Sequence, residues 1–277
     1  MDATGQGIAA TAARFVAARR GADGLDAYPG TVPATLAEGY AIQDAAIALI
    51  DEPIVGWKVG RINAPLDAQH GTTRLVGPIF ANMVVTLDDA DTVPDMGIFA
   101  DGFGAVEGEF LIRLGTIDPA QRAWTLAQAA DAIATVHIGI EIASSPLEAI
   151  NRLGPTVTVS DFGNNNGMIV GAAIPEFREA GLEDWTVVTE IDGVEVGRGK
   201  ASAFPDGLGG SVKALLETLA ARGIAVPPGT WVSSGAVSGV HPIAVGQTAV
   251  VRFDVDGENA CHGGIVRCRI RAETPQA

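Results

Sequence analysis

The chain is short of positive charge. Against 33 Asp and Glu stand 18 Lys and Arg, a formal net charge of −15. A nucleic-acid partner needs a basic face for phosphate, so that class is excluded, and a small anionic partner would have to be held by a metal or by a few placed Lys and Arg side chains. Cysteine is scarce as well. Cys261 and Cys268, in CHGGIVRC, lack the second pair that a disulfide framework or a Cys/His metal site with His262 would need, and they read as reduced thiols. The alanine-rich opening MDATGQGIAATAARFVAARRGAD contains no apolar run of the length that a signal peptide or a membrane span requires. A cytoplasmic protein with no membrane partner is the expectation. There is no repeat and no low-complexity linker. The Gly-rich stretches GRGKASAFPDGLGG and NNNGMIVGAA do not make a G-x-G-x-x-G turn between a strand and a helix, so no dinucleotide site is expected.

What is present is enough apolar material for a sizeable core: 277 residues, 47% of them hydrophobic. Ile8, Ala12, Phe15 and Val16 recur at helical spacing up to the basic pair Arg19 and Arg20, where the helix dipole favours cations. A second helix is expected from Thr35, with Glu38 completing a capping box, through Leu49. After Pro53 the pattern turns to strands: IVGWKVG, VGPIFANMVV, AVEGEFLIRL, VHIGIEIA, TVTVSD, MIVGAAI and WTVVTEI, interrupted by a helix at about Thr125 to Thr135. Asp192-Gly193 signals a two-residue type I′ turn into VEVGRG. GGSVKALLETLAARG is a helix closed by Gly223, and TWVSSG, TAVVRFDV and GIVRCRI add strands. Helices first and strands afterwards is not the alternation of a doubly wound sheet, and the fold class is α+β. The expected division is a helical N-terminal region, 1–52, and a β-rich catalytic domain, 53–277.

Within the strands, VEGEF raises a physical question. Residues i and i+2 share a face, so Glu107 and Glu109 point together, opposite Val106 and Phe110; in VHIGIEIA, Glu141 likewise opposes Val136, Ile138, Ile140 and Ile142. Spacing alone leaves two readings open. The acids lie on the solvent face of an amphipathic strand, or they are buried, in which case their desolvation, several kcal/mol each, must be offset. A divalent cation ligated by carboxylate oxygens is the simplest offset, and an all-oxygen set selects Mg or Mn.

Seven segments in order, YAIQ (40–43), GWKVG (56–60), VEGEFLIRL (106–114), IGIEIASS (138–145), SDFGNNNGMIVG (160–171), the IDGVEVGRG hairpin and SSGAVSGVHPIAVGQTAVVRF (233–253), resemble the 2-keto-4-pentenoate hydratase and 4-oxalocrotonate decarboxylase branch of the fumarylacetoacetate hydrolase superfamily. The resemblance implies a mixed β-roll or barrel and a divalent-metal site formed by Glu107, Glu109 and Glu141. It implies a small unsaturated 2-oxo acid as substrate, with Lys58 beside the bound acid as a catalytic and substrate-binding residue, and Asp161 and Ser234 in segments that line the substrate site. It also implies a homo-oligomer. Water addition is the expected reaction, decarboxylation the rival, and a non-catalytic partner subunit the alternative of another class.

The chain departs from the branch in two places. Gly77 and Pro78 stand where hydratases of this type carry an acid, and NNNG at 164–167 replaces a smaller stretch. The His-Glu pair of the hydrolytic relatives has no counterpart at His70, since Thr73 follows where Glu would be expected. His137 shares the face of Glu141 and is either a general base or a structural hydrogen-bonding group, and Arg61 either reaches a second carboxylate or is solvated.

Overall fold

The computed structural model describes residues 3–204, 206–256 and 260–276. The chain runs through α1 (Ala3–Gly21), α2 (Leu36–Ile47), β1 (Ile54–Arg61), α3 (Leu66–His70), β2 (Arg74–Phe80), β3 (Val84–Thr86), β4 (Asp95–Ile98) and β5 (Phe103–Leu114). There follow α4 (Leu126–Asp131), β6 (Ile133–Ser145), α5 (Pro155–Ser160), β7 (Asn165–Ala173), β8 (Thr186–Ile191), β9 (Val194–Lys200) and α6 (Gly207–Ala221). The last elements are β10 (Trp231–Ser233), β11 (Val240–Pro242), β12 (Thr248–Asp256) and β13 (Ala260–Ala272). This is the expected α+β class.

Two mixed sheets form. One has the order β2-β1-β10-β5-β6-β7-β3, with β11 also pairing β5; the other has the order β4-β13-β12-β8-β9. The long antiparallel pair β5–β6 is the seam on which they meet. Its apolar face, with Val106, Phe110, Ile138, Ile140 and Ile142, packs against Val187, Val251, Phe253 and Val266 of the second sheet, and the rings of Phe110 and Phe253 meet edge to face at 5.6 Å. Each fully buried side chain of this kind contributes about 1.5–3 kcal/mol, which makes this face the main source of stability. Gly108 is part of the fit, because a Cβ there would stand 2.8 Å from Val251.

Most local expectations hold. Thr35 accepts from the Glu38 N–H, and Glu38 in turn accepts from the N–H of Ala34. Asp192 and Gly193 both have positive φ, +49° and +79°, as a type I′ turn requires. Three expectations change. TVTVSD is the helix α5, not a strand: Gly154, at φ +97°, leads into Pro155 at the first turn, and Thr158 Oγ1 donates back to the Gly154 carbonyl. A short apolar run that is buried on every side carries no period to tell helix from strand. VGPIFANMVV is broken by a 3-10 turn at Ala81–Met83, so that β2 and β3 lie at opposite ends of the same sheet order. The helix expected at 125–135 stops at Asp131, and β6 begins at Ile133.

The N-terminal helices do not stand apart from the strands. Ala12, Val16, Ile42 and Ala46 share a buried cluster with Phe80 at the end of β2 and with Phe162. At Gly39 a Cβ would stand 2.6 Å from the Thr156 carbonyl, so glycine lets α2 lie directly on α5. Among the described residues no helix is long and apolar enough to cross a membrane.

Candidate metal centre and active-site cavity

The register of β5 and β6 places Glu107 directly opposite Glu141, with Glu109 opposite Gly139. The acidic face is no more exposed than the apolar one: Glu107 is 5% exposed, and Glu109 and Glu141 are 0% exposed. The solvent-face reading of VEGEF is therefore excluded. One carboxylate oxygen from each residue lies within 4.8 Å of the other two, and among the described residues this is the one group of three or more His, Cys, Asp or Glu gathered closely enough to hold a metal ion.

Strand β1 brings a single cation to the cluster. Trp57 and Val59 enter the core, which turns Lys58 to the opposite face, where its Nζ lies 3.2 Å from Glu141 Oε1. The neighbouring strands fix the acids. Asn165 Nδ2 donates to Glu141 Oε1 at 2.9 Å, and the Gly235 N–H donates to Glu109 Oε2 at 3.0 Å. Ser233 Oγ donates to Glu109 Oε2 and reaches Glu141 Oε2 at 3.3 Å. Glu109 Oε1 is buried without a partner.

One lysine does not balance three carboxylates. Burial raises Glu107 to about 7, with Glu141 adding to the rise and Lys58 opposing it. Burial, then Glu141 and Glu107, push Glu109 well above the usual carboxylate range. Burial would lower Lys58, but Glu141, Glu107 and Glu109 outweigh it and hold the ammonium well above its ordinary value. The cluster thus has an excess of negative charge, an unpartnered oxygen and only oxygen donors. Such a set fits a hard divalent cation, Mg or Mn, and does not fit a metal that prefers sulfur or nitrogen.

A turn closes over Lys58. Phe162, Gly163 and Asn164 all have positive φ, at +54°, +67° and +66°. For the two non-glycine residues that conformation costs about 1–3 kcal/mol each, and such strain gathers at functional sites. The turn leaves no room at Gly77, where an added Cβ would stand 2.0 Å from the Phe162 carbonyl oxygen. Backbone therefore fills the place where an acid is expected in hydratases of this type.

The cluster opens on a cavity of about 580 Å³, lined among others by Lys58, Glu107, Asn164, Arg61 and Arg74. Asn164 Oδ1 is buried there without a partner. Of the other residues marked in the sequence, Ser234 lies between Ser233 and Gly235, its Oγ buried and also unpartnered. Asp161 does not line the cavity. Its carboxylate takes two bonds from Arg19, at 2.6 and 3.0 Å, and one from Ser145 Oγ at 2.6 Å. His137 has Nδ1 at 3.1 Å from the Gly171 carbonyl and Nε2 at 3.2 Å from Thr135 Oγ1, which engages both ring nitrogens structurally. Cys268 is buried, and burial pushes its thiol up to about 12. Sequence reasoning missed Ser233 and Asn165, and neither strand position carries a local signal that it faces an acid.

No protein-family model matches the chain, and no curated protein matches it. Solved structures do. The 4-oxalocrotonate decarboxylase from Pseudomonas putida G7, complexed with magnesium and adipate, aligns with 22% identity over 96% of this chain and 97% of its own, at a TM-score of 0.78. This chain has the fold of the fumarylacetoacetate hydrolase superfamily. Fumarylpyruvate hydrolase from Pseudomonas aeruginosa, in complex with Mn2+ and pyruvate, aligns with 16% identity over 80% of this chain and 91% of its own, at a TM-score of 0.58. A putative fumarylacetoacetate hydrolase family protein from Yersinia pestis CO92 follows the same fold, with 17% identity, 80% and 94% coverage and a TM-score of 0.53. The superfamily fold accounts for the curled β5–β6 seam that carries the three acids.

Proposed function

We propose that the chain is a divalent-metal-dependent lyase acting on a small unsaturated 2-oxo acid, with water addition of the 2-keto-4-pentenoate hydratase type as its reaction. The observation that carries this reading is the buried, underbalanced cluster of Glu107, Glu109 and Glu141 with Lys58 beside it. Magnesium or manganese held there would supply Lewis-acid stabilisation for negative charge that develops on a chelating 2-oxo acid. The relatives with magnesium and adipate, or with Mn2+ and pyruvate, support the same assignment.

The protein's own residues supply the rest. Asn165, Ser233 and the Gly235 N–H hold the carboxylates in one orientation. Lys58 holds a proton at Nζ at the edge of the cluster and neutralises charge on the bound acid. The Phe162–Asn164 turn covers Lys58, with Gly163 against its side chain, and keeps water from that side. Asn164 Oδ1, buried on the cavity wall, accepts a hydrogen bond from a hydroxyl or a water that enters the cavity.

A decarboxylase of the 4-oxalocrotonate type is the second reading. The filled space at Gly77 favours it, because loss of carbon dioxide from a polarised 2-oxo acid needs no carboxylic acid to manage an added water. The non-catalytic partner subunit is disfavoured by the retained acids, whose burial would be costly to maintain without a cation. Self-association belongs to the proposal as well, supported by the exposed Val194 and Val196 on the edge strand β9, and sedimentation checks it.

The deciding experiment is calorimetric titration of metal-free protein with Mg and Mn, with and without oxalate, for the wild type and Glu109→Ala. Metal-dependent oxalate binding that disappears in the variant is expected, and product analysis on short 2-oxo-enoates then separates hydration from decarboxylation. An absence of metal-dependent binding in the wild type would remove the reading.

A further inference from the structure

The cavity is far more basic than the chain around it. Of only 18 Lys and Arg in a protein of net charge −15, three, Lys58, Arg61 and Arg74, line this one space, and Glu107 is the one Asp or Glu in its wall. Lys58 is accounted for by the acid cluster. The two arginines are not.

Arg61 and Arg74 stand directly opposite one another in the β1–β2 register. Like charges in that relation repel, and in a structural strand pair the arrangement is unfavourable. Arg74 is only 5% exposed. Burial first, and then Arg61, press its guanidinium towards the neutral form, while Asp206 and Glu109 oppose them. The Arg74 guanidinium lies over the Phe204 ring, 5.6 Å from its centroid, which fixes the plane of its donors. The Arg61 side chain makes one hydrogen bond among the described residues, to the Ala203 carbonyl at 3.4 Å, out of the five donors of a guanidinium. Arg61 lies three residues beyond Lys58 on β1, roughly 10 Å along the strand at the usual rise, so the pair forms the far wall of the cavity and not part of the acid cluster. Two adjacent guanidiniums match the planar, two-oxygen geometry of a carboxylate.

Resting on the proposed metal-dependent 2-oxo acid site, we infer that Arg61 and Arg74 bind a second carboxylate at the opposite end of the same substrate, so that the cavity takes a 2-oxo dicarboxylate in preference to a 2-oxo acid with an apolar tail. The repulsion across the strand pair is then the empty-site form of a binding subsite. Charge complementarity selects the substrate's tail, and the acid cluster selects its head.

The test compares 2-oxoadipate with 2-oxohexanoate, which have equal chain length and the same 2-oxo acid head and differ in the terminal carboxylate. Calorimetry on Mg-loaded wild type, with oxalate as a probe of the head site alone, is expected to show 2-oxoadipate bound about tenfold or more tighter, the size of a charge-assisted hydrogen-bonded contact. In Arg61→Met and in Arg74→Lys that ratio is expected to fall below about threefold. Arg61 is exposed, so its variant remains decisive if the Arg74 variant does not fold. Oxalate binding with no preference between the two oxo acids, or a preference retained in Arg61→Met, overturns this inference alone. If oxalate shows no Mg-dependent binding, the metal-site reading fails and this one goes with it.

Discussion

Two buried ionic clusters lie at the two ends of the Phe162–Asn164 turn, and they are built on opposite principles. On one side, Arg19 meets both Asp161 oxygens, Asn166 Oδ1 at 3.1 Å and the Ser144 carbonyl at 3.2 Å, between the rings of Phe99 and Phe162. Ser145 completes Asp161. One cation faces one anion, and the remaining contacts are polar groups that satisfy both. On the other side, Asn165 reaches into a cluster of three acids and one lysine in which Glu109 Oε1 has no partner. A buried charge that is matched holds the fold in place; a buried charge that is left over is waiting for something else.

The comparison breaks first at Asp161. Asp161→Ala leaves the Arg19 guanidinium buried without its counter-ion, and urea unfolding is expected to show a loss of about 3–5 kcal/mol, whether or not magnesium is present. A loss under 1 kcal/mol in that titration would mean that the Arg19 cluster is not the matched pair described.

The acid cluster answers instead to pH. The folded carboxyl of Glu107 is raised from 4.5 to about 7, so in metal-free protein the unfolded chain releases that proton first as pH rises. Stability is therefore fully present below pH 4.5 and declines up to about pH 7, by about 3 kcal/mol from this group. Lys58 is protonated in both states throughout that window and adds nothing to the slope. Chemical unfolding in the presence of EDTA at the two pH values, wild type against Glu107→Gln, isolates this contribution, since the variant lacks it.

The smallest effect is the most diagnostic because its sign reverses with metal. Glu109→Gln removes one surplus negative charge, and in EDTA the variant is expected to be more stable than the wild type by about 1–2 kcal/mol. With saturating magnesium the order is expected to invert, because stabilisation by a bound ion accrues to the protein that binds it. Thermal melts with and without magnesium read both signs, and a variant less stable than the wild type in EDTA would show that the three acids do not repel one another.

Much of this was legible in the sequence, though unevenly. The alternation of VEGEF and VHIGIEIA gave the facing of the acids, Asp192-Gly193 gave its hairpin, and the Thr35 cap gave its helix, because each is a rule about residues close together in the chain. Burial was not legible, since an alternating strand looks the same whether its polar face meets water or another layer. The helix at TVTVSD was hidden by its β-branched composition, and the short strands β4 and β11 by having too few residues for any period. Arg19 read as a cation completing a helix terminus; its partner lies 142 residues away, and nothing local announces it. Asp161 carries the same lesson, a residue noted for a site and occupied in the structure by an ion pair.

The close fit of the Phe162 carbonyl over Gly77 also bears on how this protein could be remade. Position 77 and the turn occupy the same volume, so no single substitution can introduce a carboxylic acid there and keep the turn. A route towards such an acid has to rebuild residues 162–164 at the same time, and because that turn is tied at one end to Arg19 through Asp161 and at the other to Glu141 through Asn165, the rebuilding reaches both the N-terminal helix and the acid cluster. The identity of one glycine is thereby locked to elements far from it in the chain, and a change of chemistry at this site would come as a coordinated set of replacements or not at all.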